Sequence, residues 1–585
     1  MKNLLTVIIL FTLLTAEPHP EAIKSAHEII QVFSNQSSKS HISDDLRTIA
    51  RYGHSLSHET KEELRLIGFN FDGRIVNRSL DDRTEASGLN NTYDSGNFRF
   101  HYTTSGSHAV SSSDTNSNSI PDYIEQMSDV FNHVVDYQLN TLDFVEPPAD
   151  GWYTAINDNG GNGLYDIYVR NAGAGLYGYV QPELYANNNG NNEHSSGVTE
   201  VNAFTSYMVM RHNYNGFPNT ELEAIQVTAA HEFFHAVQFG YDGWEESWVM
   251  EASAVEMEEY IYDDINDCYQ YMSSWFSQPH KSLNLDSDSR WYGSFIYFQY
   301  VAEHVSEDIM KSFWQQSITH DSYYGNYSIQ TLDEALGQSF HTFSQVLNNM
   351  SVANRIMSSS NAAGIYSYDE GETYTISGPS TFQTVSYSAG TAQDITSTNL
   401  QENAAQYIRL ISDDPVLATL TNDDGPDSYL ELNVIVSYGD SAWTVWSGSP
   451  LNVNPAGASN VYFVVVSQND AGSDFDYTLS FADGELSTDP ELPKQFSVSN
   501  AYPNPFNPQT HFQIELDISE NVSAFIYDVN GRLVKTLFND QLNAGQHTLI
   551  WDGLDGNGNP AASGTYFVRL KGVQQENWQK VTLLK

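Results

Sequence analysis

The sequence has very little cysteine and few basic residues. Among 585 residues there is one cysteine, Cys268, so an intramolecular disulfide is excluded, and packing and metal ions are left to hold the fold. Lysine and arginine total 25 against 74 acidic residues, which gives a formal net charge of −49. Such a surface repels nucleic acids and anionic membranes, so partners of both kinds are discounted. The acidity instead fits solubility in a salty or calcium-rich medium.

Long apolar runs are also scarce. The one clear run, residues 4–14, follows Lys2, precedes a plausible cleavage point at Ala16, and is too short to span a bilayer. It therefore predicts a secretory signal peptide at 1–16 and a protein that is extracellular or attached to the cell surface. No cysteine lies near the cleavage point, which excludes a lipoprotein, and no transmembrane segment is expected elsewhere.

Hydrophobic periodicity divides the rest of the chain into several domains, as its length requires. Residues 17–95 are polar with helical spacing, and residues 96–362 alternate short strands with long helices. From 365 to 484, alternating strands separated by turn residues predict a β-sandwich. A linker at 485–495 contains proline and acidic residues, and a second small β unit occupies 496–585.

The segment AIQVTAAHEFFHAVQFG predicts a metal-binding helix from about 221 to 239. Thr220 with Glu223 forms a capping-box pattern, and Gly240 supplies a stop. His231 and His235 are four positions apart, so they share one helix face and can offer two nitrogens to a single Zn²⁺. Glu232 lies beside them, where it can take a proton from an attacking water.

A third zinc ligand is needed, and Glu251 is the best placed carboxylate. It lies sixteen positions after His235, which leaves room for a turn and the start of a returning helix. Glu245 and Glu246 come while the chain is still turning, and Glu258 lies about 10 Å further along the helix axis. Glu258 is therefore predicted to orient a zinc-binding histidine through a hydrogen bond.

These residues, HExxH followed by W-x-x-E-A-x-A, resemble the gluzincin metallopeptidases, and more closely a family of secreted, largely uncharacterised bacterial gluzincin-like proteins. The family usually has glycine after the ligand glutamate, where this chain has the similarly compact Ala252. The resemblance implies an α+β zincin-like core. It also implies a tyrosine at the start of a later helix that stabilises the oxyanion, which Tyr292 matches in RWYGSFIYFQYVAEH. His304 and His280 are the alternatives for that role.

The segment SSDTNSNSIPDYIEQM fits a calcium loop that leads into a helix. Its expected ligands, at positions one, three, five, seven, nine and twelve, are Asp114, Asn116, Asn118, the Ile120 carbonyl, Asp122 and Glu125. Ser119 stands where the sixth position normally has glycine, and no clear helix precedes the loop. The alternative is a polar turn capped by Asp122. The resembled family commonly carries D-x-N-x-N-x-x-P-D here, which favours Ca²⁺.

The C-terminal motifs AYPNPFNPQTHFQIEL, IYDVNGRLVKTL, AGQHTLIWDG and SGTYFVRLKG, ending in VTLLK, resemble the type A sorting domain of the type IX secretion system. The resemblance implies a small immunoglobulin-like sandwich with Trp551 and Tyr566 in its core, and the secretion machinery as a partner.

Two functions fit this pattern. The favoured one is a secreted zinc-dependent endopeptidase that acts on proteins or peptides, with Glu232 as the general base. Residues 17–95 are then either a propeptide or an N-terminal helical domain, and the propeptide is favoured because the segment precedes a peptidase-like core. A propeptide here would cover the cleft sterically, because the only thiol lies after the zinc helix. The alternative is a surface adhesin or binding protein with an inactive peptidase-like core.

Overall fold

The computed structural model describes residues 18–37, 39, 41–67, 69, 87–148, 160–173, 175–186, 200–285, 288–339, 341–358, 365–425, 429–439, 443–469, 472, 474–485, 497–498, 501–516, 520–529, 531–542, 545–556, 558–572 and 576–584. The predicted signal peptide and nearly all of the predicted linker lie outside the described residues. The chain divides into two compact units. The first comprises Met1–Tyr271, Asp286–Phe298 and Glu307–Ala335, and the second comprises Met272–Leu285, Gln299–Ser306 and Leu336–Lys585.

Helices dominate the chain up to residue 356. They are α1 (Pro20–Phe33), α2 (Ser43–Tyr52), α3 (His58–Leu66), α4 (Asp122–Val135), α5 (Glu221–Gln238), α6 (Ser247–Tyr262), α7 (Tyr269–Phe276), α8 (Asp288–Gly293), α9 (Phe295–His304), α10 (Asp308–Ser317), α11 (Ser328–Gly337) and α12 (Phe343–Ile356). The strands of the same part are β1 (Asn91–Ser95), β2 (Phe98–Tyr102), β3 (Tyr165–Arg170), β4 (Gly178–Tyr185) and β5 (Phe204–Arg211). The helical spacing of the N-terminal segment is confirmed by α2 and α3, and β2 and β3 are two of the short strands expected within residues 96–362.

A five-stranded sheet organises the first unit, in the order β1-β2-β3-β5-β4. Strands β2, β3 and β5 run parallel, whereas β4 is antiparallel to β5 and lies at the edge. Nearly every residue of β3, β4 and β5 is buried, which is expected of strands covered on both faces.

The N-terminal helices share a hydrophobic core with this sheet. Ile29 of α1 and Leu46 of α2 belong to one buried cluster with Tyr168, Tyr207 and Val209 of the central strands. Helix α2 also packs against the edge strand β4. Residues 20–66 are therefore part of the first unit's core.

Two β-sandwiches build most of the second unit. Their strands are β6 (Thr381–Ser386), β7 (Gln393–Leu400), β8 (Ala404–Ile411), β9 (Val416–Asn422), β10 (Leu430–Ser437), β11 (Thr444–Ser447), β12 (Leu451–Val453), β13 (Asn460–Ser467), β14 (Phe475–Asp483), β15 (Ser497–Val498), β16 (Thr510–Leu516), β17 (Glu520–Asp528), β18 (Leu533–Leu542), β19 (Gly545–Trp551), β20 (Gly564–Lys571) and β21 (Glu576–Leu583).

The first sandwich pairs the sheets β11-β10-β13-β8-β6 and β12-β9-β14-β7. Phe463 from one sheet and Phe481 from the other meet in its core, so the predicted β-sandwich is confirmed. The second pairs the sheets β15-β16-β19 and β18-β17-β20-β21.

Candidate metal centre

Helix α5 carries HExxH and is fixed at both ends as its sequence predicts. The Thr220 hydroxyl accepts a hydrogen bond from the Glu223 amide at 3.3 Å, and the Thr220 amide donates to the Glu223 carboxylate at 2.9 Å. The helix ends at Gln238, just before Gly240. After a short turn the chain returns as α6, which packs against α5. This pairing brings residues of α6 to the buried face of α5.

Three side chains converge between the two helices in a nearly equilateral triangle. His231 Nε2 lies 3.2 Å from His235 Nε2 and 3.2 Å from Glu251 Oε2. His235 Nε2 lies 3.5 Å from the same carboxylate oxygen. Ligands at zinc's usual bond lengths of about 2.0–2.1 Å in tetrahedral geometry lie roughly 3.3–3.4 Å apart. The triangle thus has the dimensions of three zinc ligands with a fourth position open.

The chemistry of this donor set also fits a cation. All three side chains are buried, and apart from the two imidazoles no donor of the described residues reaches either oxygen of Glu251. Burial would raise the pKa of Glu251, but the two histidines outweigh it and hold that pKa well below its usual range. Burial would likewise lower the pKa of His231, but Glu251 and Glu232 raise it. A carboxylate this deeply buried requires a positive partner.

Each histidine is oriented through its other ring nitrogen. Glu258 Oε1 lies 2.8 Å from His231 Nδ1, and Gln238 Oε1 lies 2.7 Å from His235 Nδ1. The Gln238 amide also donates to the Met250 carbonyl at 2.9 Å, which ties α5 to α6. Both Nε2 atoms therefore face Glu251. The contact of Glu258 is the one anticipated, whereas Gln238 was missed, although its position three residues after His235 placed it on the same helix face.

The remaining glutamates considered for the centre lie elsewhere. Glu245 accepts a hydrogen bond from the Ser322 hydroxyl at 2.9 Å, and Glu246 accepts one from the Ser328 hydroxyl. Burial and the neighbouring charge of Asp242 raise the pKa of Glu245 above its usual value. Of the four glutamates considered as the third ligand, the structure brings Glu251 to the Nε2 atoms of both histidines.

Glu232 is not part of the triangle and is held by two residues of the N-terminal segment. The Ser43 hydroxyl donates to its Oε2 at 2.7 Å, and His41 Nδ1 lies 3.3 Å from its Oε1. Burial would raise the pKa of Glu232, but His41 and the two histidines of α5 lower it. The His41 ring also stacks on His231, with centroids 4.5 Å apart. No local pattern could reveal these contacts, since His41 and Ser43 lie about 190 positions upstream of Glu232.

The side chains of Tyr292 and Tyr271 pack beside these histidines. The Tyr292 ring lies 6.3 Å from that of His231 and stacks on Tyr271 at 5.0 Å. The Tyr271 hydroxyl is 3.3 Å from His41 Nε2. Burial raises the pKa of both phenols well above the usual value, so both stay protonated near neutral pH. Tyr271 was missed because a tyrosine-rich chain gives it no distinguishing pattern.

The expectation that a helix starts near Tyr292 is wrong. Tyr292 lies near the end of the short helix α8, and α9 begins only at Phe295. Gly293 disfavours helix, and the Ser294 hydroxyl donates to the Trp291 carbonyl in competition with the backbone. The alternative His304 has its Nε2 2.7 Å from the Ser367 carbonyl oxygen.

The predicted calcium loop is a compact turn before α4. Asp114 accepts hydrogen bonds from the backbone amides of Asn118 and Ser119, and the side-chain amides of Asn116 and Asn118 donate to Glu125. Ser119 has a φ of 76°, the left-handed conformation that a glycine normally supplies at this position. The Ile120 amide donates to Asn118 Oδ1.

Asp122 differs from the other expected ligands of this loop. Its carboxylate accepts hydrogen bonds from the Ser113 hydroxyl at 2.6 Å and from the Thr115 amide at 2.9 Å. It therefore closes the turn as a cap, while Asp114, Asn116, Asn118 and Glu125 form the linked group. Ca²⁺ binding by that group stays a prediction.

The C-terminal sandwich is built around two aromatic rings. Trp551 and Tyr566 are buried with ring centroids 4.9 Å apart, which confirms their expected place in the core. The Trp551 indole donates to the Leu554 carbonyl and the Tyr566 hydroxyl to the Ala562 carbonyl. Residues 499–576 match the FlgD Ig-like domain.

This Ig-like domain accounts for about 80 residues of the chain, and a search of curated proteins gave no match. Two solved structures from Porphyromonas gingivalis show local similarity. PorZ, a surface component of the type IX secretion system, is 22% identical over 21% of this chain and 15% of its own, with a TM-score of 0.12. Dimeric latent PorU is 15% identical over 30% of this chain and 18% of its own, with a TM-score of 0.15.

The chain therefore spans less than a fifth of either solved structure. A glycoside hydrolase domain of Endo-D from Streptococcus pneumoniae is 11% identical over 34% of each chain, with a TM-score of 0.10. Within the described residues, no helix has the length and apolar character needed to cross a membrane.

Proposed function

We propose that this protein is a secreted zinc-dependent endopeptidase with a gluzincin-type core. The observation that carries the proposal is the triangle formed by His231, His235 and Glu251, whose edges of 3.2–3.5 Å match tetrahedral zinc ligation. Two histidines and one carboxylate leave one coordination position open, which is typical of catalytic rather than structural zinc sites. When bound, zinc would polarise the scissile carbonyl and acidify a water molecule.

Glu232 is the general base of this proposal. It follows His231 directly on α5 but is not a member of the group formed by His231, His235 and Glu251, so in this proposal it acts on a proton rather than on the metal. Its lowered pKa keeps it ionised near neutral pH, as a proton acceptor must be. It removes a proton from the attacking water and delivers that proton to the leaving nitrogen.

The phenols of Tyr292 and Tyr271 are the candidate donors to the developing oxyanion. Both remain protonated near neutral pH. The Tyr292 ring lies 6.3 Å from the ring of His231, and the Tyr271 ring stacks on that of Tyr292. A hydroxyl hydrogen-bond donor stabilises a developing negative charge most strongly in a buried site that excludes water. The geometry favours testing them as a pair, since their rings stack on one another.

The edge strand β4 supports a polypeptide substrate. Strand β4 lies at the edge of the sheet, and its Val180 amide donates to the Ser43 hydroxyl at 3.0 Å. The same hydroxyl donates to Glu232, so the Ser43 hydroxyl bridges the edge strand and the proposed general base. An extended peptide can add to such an edge by backbone hydrogen bonds. It would thereby bring a peptide bond to the centre.

Casein hydrolysis by the purified full chain tests the activity. The assay is run before and after brief trypsin treatment that is quenched with a trypsin inhibitor, and only the part abolished by a zinc chelator is counted. Zinc restores hydrolysis to the chelated sample if the proposal holds. A zinc-loaded protein with no chelator-sensitive hydrolysis in either sample favours a surface adhesin with an inactive core.

We further propose that the Ig-like domain is a type A sorting domain that directs export by the type IX secretion system, and that it places the protein outside the cell. Its support is the ordered set of C-terminal motifs together with the Ig-like fold. Fusion of residues 496–585 to a fluorescent reporter behind a signal peptide tests this. The reporter should leave cells that possess the system and remain in the periplasm of cells that lack it.

A further inference from the structure

We propose that residues 41–52, termed here the blocking segment, keep the peptidase latent by occupying the carboxylate of Glu232 while leaving the zinc ligands free. The inference rests on the proposed function and specifies its regulation. The blocking segment consists of His41, Ile42 and helix α2. It would hold the enzyme inactive through its general base and not through its metal.

Both oxygens of the general base are taken by the blocking segment. The Ser43 hydroxyl donates to Oε2 at 2.7 Å, and the His41 ring contacts Oε1 at 3.3 Å. Glu232 is fully buried beneath them. A water that is to lose its proton must hydrogen-bond to this carboxylate, so the two contacts displace the reactant itself.

His41 approaches the metal centre without joining it. Its Nδ1 faces Glu232 and its Nε2 faces the Tyr271 hydroxyl, each at 3.3 Å, so both ring nitrogens have partners outside the ligand triangle. The ring itself stacks on His231 at 4.5 Å. The triangle is complete without the blocking segment, and the latent chain is therefore expected to hold zinc.

The blocking segment also covers the strand edge where a substrate would pair. Ser43 accepts the hydrogen bond of the Val180 amide, and α2 packs along β4. A small cavity lies beside His41 and is lined by Tyr177, Thr228, Glu258, Asp267 and Tyr271 among others. The Ser43 hydroxyl thus occupies both the carboxylate of the proposed base and a backbone amide of the strand edge where a substrate would pair.

An arginine anchors the blocking segment to the turn that joins α5 and α6. Arg47 donates to the carbonyls of Gly243 at 3.2 Å and Glu245 at 2.7 Å, and to the Ser247 hydroxyl at 2.9 Å. Asp44 holds the same guanidinium at 2.6 Å. Because this turn sets the approach of α6 to α5, the anchor fixes α2 relative to the metal ligands.

A second arginine extends the anchorage by one helical turn. Arg51 donates to the Ser322 and Tyr323 carbonyls, and its guanidinium lies over the rings of Trp244 and Tyr323. Arginines with several carbonyl partners, such as the buried Arg47 and the half-buried Arg51, are costly to displace. The wild type should therefore stay latent until the segment is removed or the residues that hold it in place are substituted.

Binding of a fluorescent peptide hydroxamate, which chelates zinc and contacts the base, tests the inference on the full chain. The variants are the double substitution His41→Ala with Ser43→Ala, the anchor substitution Arg47→Met, and the matched control His54→Ala, whose side chain is exposed. Zinc content and the thermal midpoint are measured on each sample first. All four proteins should hold zinc, and the double variant and Arg47→Met should bind the hydroxamate at least tenfold more tightly than the wild type and His54→Ala.

Three results would overturn the inference. A zinc-loaded wild type that binds the hydroxamate as tightly as the double variant removes latency but leaves the proposed function standing. A cobalt-substituted protein whose visible spectrum changes on His41→Ala alone shows that His41 binds the metal, so the block acts there and not at the base. A chain that takes up no zinc in any variant overturns the proposed function and the inference together.

Discussion

Glu258 Oε1 lies 2.8 Å from Nδ1 of His231, and this contact turns Nε2 of the same ring toward His235 and Glu251. The carboxylate proposed to bind zinc, Glu251, and the carboxylate that orients His231, Glu258, are thus two turns apart on α6. Burial, followed by the charge of Asp267, raises the pKa of Glu258 well above its usual value, so an ionised Glu258 is unfavourable here. Zinc bound to Nε2 of His231 would make the Nδ1 proton of that ring a stronger hydrogen-bond donor and so favour the ionised carboxylate.

This division of roles predicts an order of zinc affinities. Glu258→Ala should weaken zinc binding by about 10- to 100-fold, and Glu251→Ala should weaken it more, because it removes a ligand rather than a ligand's support. Glu258→Gln keeps an acceptor oxygen and should lose less than alanine. Glu245→Ala should leave zinc affinity unchanged, although loss of its bond to Ser322 lowers the thermal midpoint. Competition titration with a zinc-sensitive dye gives all four constants, and wild-type affinity in Glu251→Ala would contradict the ligand assignment.

Gln238 gives a second test of ring orientation. Gln238→Leu loses the acceptor for His235 Nδ1 and the ties to Met250 and Ser253, so zinc affinity and the thermal midpoint should both fall. Gln238→Glu keeps the acceptor for the ring and should retain more of the zinc affinity, within about tenfold of wild type. Equal affinities in the two variants would show that the ring needs no acceptor there.

The buried pair Asp242 and Glu245 predicts a pH dependence of stability that is independent of zinc. Burial raises the pKa of both carboxyls above their unfolded values, so the folded state binds more protons than the unfolded state. Stability from this pair is therefore present at acidic pH and is lost as pH rises above the unfolded value near 4.5. Glu245→Gln is neutral at every pH. Its thermal midpoint, measured relative to that of the wild type, should therefore be higher at about pH 8 than at about pH 5. A difference that does not vary with pH would show that Glu245 is ionised in the folded protein.

Calcium should raise the thermal midpoint, because only the folded loop gathers its oxygen ligands. Asp114→Ala should remove most of that rise, whereas Asp129→Ala, an exposed acid on α4 outside the loop, should keep it. The measurement is a pair of melting curves with calcium and with a calcium chelator. Identical curves for the wild type under the two conditions would exclude calcium at this loop.

Local sequence patterns predicted the elements whose chemistry is contained in one helix or one short turn. The i, i+4 spacing places His231 and His235 together on any helix, and the caps at Thr220 and Gly240 define where that helix runs. Glu251 followed from the length of turn needed for a helix to return. The C-terminal strands followed from alternation and turn residues, whereas the placing of Trp551 and Tyr566 in their core came from the resemblance to a sorting domain.

Contacts between residues far apart in the chain, which depend on how helices pack on the sheet, could not be predicted from the sequence. His41 and Ser43 reach Glu232 because α1 and α2 bury Ile29 and Leu46 against the central sheet, and no periodicity encodes which face of a sheet a distant helix will choose. The break at Ser294 was missed for a local reason, since the apolar run on either side reads as one continuous helix.

The most direct test of the central claim is Glu232→Gln, measured for zinc content and for hydrolysis in the same preparation. The substitution is made in the background of His41→Ala with Ser43→Ala, so that the cleft is open in both proteins. The account predicts zinc at the stoichiometry of the parent and a loss of nearly all chelator-sensitive casein hydrolysis, because Glu232 moves a proton and does not bind the metal. Loss of zinc together with activity, or hydrolysis at the parent's rate, would contradict it.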